Sequence, residues 1–96
     1  MAHFVVLASF TDKGIAAIKD TAKRAKSFRE LASTFGVKIS TIYWTMGRYD
    51  VVLTLEASSD ESVAALLMKA GSLGNLKSET LRAFSESEIS SLVSKL

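Results

Sequence analysis

The chain has no cysteine and no proline among its 96 residues, and a single histidine, His3. Without cysteine there is no disulfide scaffold, no thiol nucleophile and no thiolate zinc site. One histidine excludes a multi-histidine metal centre within one chain, so no metal or other cofactor is expected. The lack of proline argues against a Pro-rich linker or tail. No apolar run approaches the roughly 20 residues of a membrane-spanning helix. The apolar stretch Phe4 to Phe10 follows no basic segment, as a signal peptide would require, and the expected compartment is the cytoplasm. Charge of either sign is scarce in excess: 12 basic and 10 acidic side chains leave a net +2, too mild to imply nucleic acid. The run Lys19 to Arg29 holds five basic residues but only one aromatic, Phe28. It reads as a solvated helix face rather than a nucleic-acid surface.

Hydrophobic residues make up 48% and charged residues 23%, the balance of an ordinary globular domain. For a mass of 10.4 kDa the folded surface should be roughly 5,400 Å². That size suits one core, and residues 1–96 are expected to form a single domain.

The segment His3 to Phe10 is β-branched, aromatic and apolar at both parities, as a central strand should be. Thr11 and Asp12 offer N-cap oxygens, and apolar positions recur near helical spacing from Ile15 to Phe35. Asp20 or Thr21 can re-cap the chain there, splitting a short helix from a longer one. Gly36 then suits a helix end. Val37 to Met46 and Tyr49 to Ala57 read as two strands joined by Gly47-Arg48, where glycine fits the positive φ of a type II′ hairpin turn. Ser58 with Glu61 predicts a capping box ahead of a helix carrying Val63, Leu66, Leu67, Ala70 and Leu73, ended by Gly74 or Asn75. Leu76 to Phe84 is a more polar strand, suited to a sheet edge. Ser85 with Glu88 predicts a second capping box, and Ile89, Leu92, Val93 and Leu96 form an apolar stripe on a short last helix. That helix needs something to cover. The order gives an α+β fold, a ferredoxin-like βαββαβ sandwich with an appended C-terminal helix.

A two-residue loop sets the hairpin register. Met46, Trp44, Ile42 and Ser40 then face Tyr49, Val51, Leu53 and Leu55 under the helices. The other face pairs Thr45 with Asp50, Tyr43 with Val52, Thr41 with Thr54, and Ile39 with Glu56. A one-residue bulge would exchange the two assignments. A sheet covered on one side leaves a large mixed patch, and such patches are often closed by another subunit. Two sheets face to face would enclose a cavity lined by Tyr43, Thr54 and Glu56. The alternative is that these side chains only fill a dimer interface.

The run Trp44-Thr45-Met46-Gly47-Arg48-Tyr49-Asp50 resembles the GYD domain family, named for its Gly-x-Tyr-Asp signature. Phe4-Val5-Val6-Leu7, Gly36, Tyr43, Gly71-Ser72-Leu73-Gly74-Asn75 and Glu79-Thr80-Leu81-Arg82-Ala83-Phe84 also look like its pattern, so the resemblance covers nearly the whole chain. It implies a ferredoxin-like fold related to the dimeric α+β barrels and no settled activity. A more distant similarity is to the effector-binding modules of feast/famine-type transcription regulators, which bind small metabolites between subunits. No helix-turn-helix segment accompanies the resemblance here, so what it implies is a free-standing ligand-binding oligomer.

Each candidate residue has a bland reading beside the functional one. Asp50 can accept backbone N–H groups at the hairpin or hold a ligand amine. Tyr43 and Trp44 can line a cavity or pack as strand aromatics. Glu56 can act as a base on a half-covered face, or pair with Arg82 if the fourth strand presents it there. His3 can serve acid–base work or stand as a surface histidine. The expectation is a small homo-oligomer with a small-molecule pocket formed by Tyr43, Asp50, Thr54, Glu56 and Arg82. The alternatives are a cofactor-independent oxygenase or isomerase using Glu56 or His3, and an oligomer with no ligand.

Overall fold

A computed structural model describes residues 1–96. The elements in chain order are β1 (Ala2–Phe10), α1 (Asp12–Ala16), a 3₁₀ turn (Ile18–Asp20), α2 (Thr21–Thr34), β2 (Lys38–Trp44), β3 (Val51–Ala57), α3 (Asp60–Ser72), β4 (Leu76–Ala83) and α4 (Glu86–Val93). The strands form one antiparallel sheet in the order β2-β3-β1-β4, with the apolar β1 inside and the polar β4 at an edge. This is the ferredoxin-like order that the sequence predicts. No helix is long and apolar enough to cross a membrane.

The helical stretch after β1 divides where Asp20 and Thr21 predict. Arg24 of α2 reaches back to the carbonyls of Ala17 at 2.8 Å and Gly14 at 3.2 Å, which satisfies the open end of α1. Gly36 closes α2 at φ 72°, with the Val37 N–H donating to the Ala32 carbonyl. The start of α3 falls one residue later than expected. Ser59, not Ser58, is its N-cap, accepting from the Ser62 N–H, because Asp60 and Glu61 already belong to the first turn. The Ser85–Glu88 capping box of α4 forms as predicted.

Alternation along β1 and β3 sorts the two faces of the sheet. Phe4, Val6 and Ala8 with Val51, Leu53, Leu55 and Ala57 are buried beneath α2 and α3, where Ala32, Val63 and Leu66 complete the core. The helices do not seal this layer fully. A cleft of about 380 Å³ opens between α2, α3 and the Phe10 end of the sheet, with the only tryptophan, Trp44, in its wall. The Trp44 Nε1–H donates to the Thr21 hydroxyl at 3.0 Å, fastening β2 to the start of α2.

Two details of the hairpin differ from the sequence reading. From Thr41 to Trp44 the expected partners are kept, but a bulge at Ser40 shifts the earlier register. Ile39 therefore pairs with Leu55 on the covered face, and Lys38 takes the place opposite Glu56. The physical cause is burial: Ile39 is 8% exposed, and its carbonyl is taken by the Arg29 guanidinium from α2. The loop is also wider than Gly47-Arg48. The Thr45 N–H donates to the Asp50 carbonyl at 2.8 Å, leaving residues 46–49 as the loop and Met46 fully exposed. Gly47 still needs its positive φ, 105°, a region that side chains with a Cβ rarely enter.

Candidate functional site

The uncovered face of the sheet is ordered in rows running across β2, β3, β1 and β4. Register places Lys38, Glu56, His3 and Ala83 in one row, Thr41, Thr54, Val5 and Leu81 in the next, and Tyr43, Val52, Leu7 and Glu79 in the third. Tyr43, Thr54, Glu56 and His3 thus share this face. The hydroxyls of Thr41 and Thr54 are hydrogen-bonded at 2.7 Å. Arg82 does not join them: it lies opposite Phe4, on the covered face. Its guanidinium stacks 5.6 Å from the Phe4 ring and 4.5 Å from the Phe84 ring. The pairing of Arg82 with Glu56 therefore does not form, because one step of strand parity separates them.

Glu56 instead meets His3. Its carboxylate lies 3.6 Å from the His3 Nδ1 and 3.9 Å from the Lys38 ammonium, while the Ser40 hydroxyl donates to it at 3.4 Å. The other imidazole nitrogen, Nε2, lies 3.7 Å from a second carboxylate, Glu88, which also faces Arg82 at 3.9 Å. An imidazole between two carboxylates can carry a proton between them or hold a positive charge. The Ser85 N–H donates to Glu88 at 2.9 Å and holds its carboxyl below the usual range, helped by the Ser85 hydroxyl, His3 and Arg82. Beside this cluster is a cavity of about 330 Å³ whose walls include His3, Ser40, Thr54, Glu56, Phe84 and Ser85. No group of three or more acidic, histidine or cysteine side chains is arranged to hold a metal ion.

Sequence reasoning missed Glu88 and Ser40 as members of this cluster. The Ser85–Glu88 motif marks a helix start, but only the pairing of His3 with Ala83 brings that helix start beside the imidazole. Ser40 reaches Glu56 from the bulge, and nothing in the local pattern announced that bulge.

At the opposite end of the sheet, Gly47, Tyr49 and Asp50 form a corner. The Tyr49 hydroxyl donates to Glu79 of β4 at 2.6 Å, reaching across β1, and this bond to a carboxylate raises the phenol above its ordinary pKa. Asp50 is engaged in the backbone: its Oδ2 accepts from the Phe10 N–H at 2.8 Å, and its own N–H donates to the Ala8 carbonyl at 2.9 Å. Tyr43 stands between the two ends, 63% exposed.

The sheet order, one covered face and this corner define a ferredoxin-like protein with a Gly-x-Tyr-Asp hairpin. The GYD domain family model matches residues 4–93, and the chain belongs to that family. It is 34% identical over 84 residues to a Thermus thermophilus protein named glutamine synthetase and cystathionine beta-lyase binding protein, spanning 86% of this chain and 88% of that one. Among solved structures, TTHA0845 from Thermus thermophilus is similar with a TM-score of 0.57 and 21% identity, over 88% of this chain and 95% of that one. The hypothetical protein PHS023 from Pyrococcus horikoshii is similar with a TM-score of 0.57 and 15% identity, over 90% and 93%. Both structures share the fold.

Proposed function

We propose that this GYD-domain protein is a self-associating binding module in which a second copy closes the open sheet face. One observation carries the reading: Val5, Leu7, Val52 and Leu81 form an uncovered apolar band across the middle of that face, with Tyr43 beside them. Such a band is costly in water and is removed by a like surface. The surface area agrees with this reading. The chain exposes 6399 Å², about 1,000 Å² more than a compact monomer of its mass. That excess is close to one partner's share of a standard interface, about 800 Å².

Closure would bury the His3–Glu56 end and leave its cavity as the ligand pocket. Glu56, Ser40 and Thr54 offer acceptors, so the class of ligand that fits is a small metabolite bearing an amine. Tyr43 would border it from the third row. Asp50, bound to Phe10, and Arg82, on the covered face, have other work, and the pocket is proposed without them.

A second reading rests on the curated relative, which is named for binding two enzymes. On that reading the same apolar band docks an enzyme surface instead of a second copy. Light scattering behind size exclusion separates the two. Self-closure predicts a stable oligomer that Val52→Lys converts to a smaller species without loss of secondary structure. A wild-type monomer at every concentration would remove self-closure and leave the face free for a different protein.

A further inference from the structure

Two apolar features are left open to solvent, and they do not meet within the chain. The first is α4. Its first turn meets the sheet through Glu88 with His3 and Arg82. Ile89, Leu92, Val93 and Leu96 recur at helical spacing, the turns continue through Leu96, and none of the four is buried: they are 46%, 41%, 57% and 103% exposed. The second is the cleft between α2 and α3, about 380 Å³, in which 14 of 21 lining residues are hydrophobic, Phe28, Leu31, Trp44, Leu67 and Leu73 among them. An apolar lining of that extent calls for an apolar occupant.

None of the residues lining this cleft belongs to the chain's own α4. β4 passes the cleft at Leu76 and Ser78 and then runs to Ala83, about 17 Å further at the rise of an extended strand. The Ser85 capping box and the Glu88 contacts then fix the first turn of α4 at the His3 end.

We propose that α4 of a second copy docks its Ile89, Leu92, Val93 and Leu96 stripe into the α2–α3 cleft. The two surfaces match in charge as well as in apolarity. Lys69 stands among the cleft residues, and Glu86 lies one turn ahead of Ile89 on α4. Helix-in-groove recognition reads anchors at just this i, i+3, i+4, i+7 spacing. The contact is heterologous, since one copy gives the helix and the other the cleft, and it is independent of closure through the open sheet face. Used together with that face, it carries assembly beyond a dimer.

The absence of cysteine makes the test direct. One population carries Leu92→Cys, a second Ala70→Cys in the cleft wall, and a third Val52→Cys on the open face. Each is first shown to keep the wild-type circular dichroism and native mass, and pairs are then mixed and mildly oxidised. The proposal expects Leu92→Cys to cross-link to Ala70→Cys at least tenfold more than to itself or to Val52→Cys. It also expects Leu92→Glu to lower the native mass while leaving the Val52→Lys-sensitive contact in place. Preferred linkage of Leu92→Cys to itself or to Val52→Cys would overturn it. So would the absence of any linkage, or a native mass that Leu92→Glu does not change, and those results would leave the cleft to a small apolar ligand.

Discussion

The Asp50 carboxylate accepts the backbone N–H of Phe10 at 2.8 Å, where β3 has already left the sheet and can offer no carbonyl. The same residue donates its N–H to Ala8 and takes the Thr45 N–H on its carbonyl, so it ties β1, β2 and the start of β3 at one point. Asp50→Ala leaves the Phe10 N–H without its partner. The expected cost is about 1–2 kcal/mol, read as a lower urea midpoint at unchanged slope. A midpoint equal to wild type would show that the carboxylate holds nothing there.

Tyr49 straps the same corner to β4. Its phenol is raised above the ordinary value of 10.0 because it donates to Glu79. A raised folded value means that the strap's contribution is fully present below the unfolded value and is lost as pH rises through the folded one. Tyr49→Phe should therefore lower the melting temperature at neutral pH, and the gap to wild type should close as the pH is raised well above the ordinary value of 10.0. A gap that persists unchanged at that pH would assign the effect to packing of the ring.

Glu88 behaves in the opposite sense. Its carboxyl is held below the ordinary value of 4.5, first by the Ser85 N–H. A depressed folded value contributes stability above the unfolded value and loses it as pH falls through the folded one. Glu88→Gln should be less stable than wild type near neutrality, with the difference fading below about pH 4. Thermal melts from neutral to acid pH check this, and a difference that grows on acidification would contradict it.

Gly14 has no room for a side chain. A Cβ there would fall on the Asn75 carbonyl oxygen, which also receives the Thr11 N–H at 3.1 Å. Gly14→Ala must push α1 away from the link between α3 and β4. The expected loss is about 1–3 kcal/mol, the scale of overpacking, measured by chemical unfolding. Wild-type stability would mean that α1 moves freely.

Much of the fold is legible because its signals are local and periodic. The apolar, β-branched runs of β1 and β3, the Ser85–Glu88 box, the Asp20–Thr21 break and the Gly36 helix end each depend on a few neighbouring residues. The site is less legible because it depends on pairing across strands. The register of Thr41 to Trp44 follows from centring the hairpin on Gly47-Arg48, yet the bulge at Ser40 is driven by Arg29 and the core position of Ile39, which depend on packing outside the hairpin's own pattern. The Gly47 turn is recognisable, but its width depends on Tyr49 being drawn across to Glu79, thirty positions away. Arg82 shows the sharpest limit. Its charge suggested a partner for Glu56, but strand parity, set by pairing with β1, gave it Glu88 and two phenylalanine rings instead.

Native mass spectrometry of the purified wild-type protein beside Val52→Lys tests closure of the open face most directly, because it reports subunit number and any retained small molecule together. Closure predicts an even-numbered wild-type assembly, with any added mass confined to it, and a smaller Val52→Lys species without that mass. A wild-type monomer, or a Val52→Lys assembly of unchanged size, would contradict it.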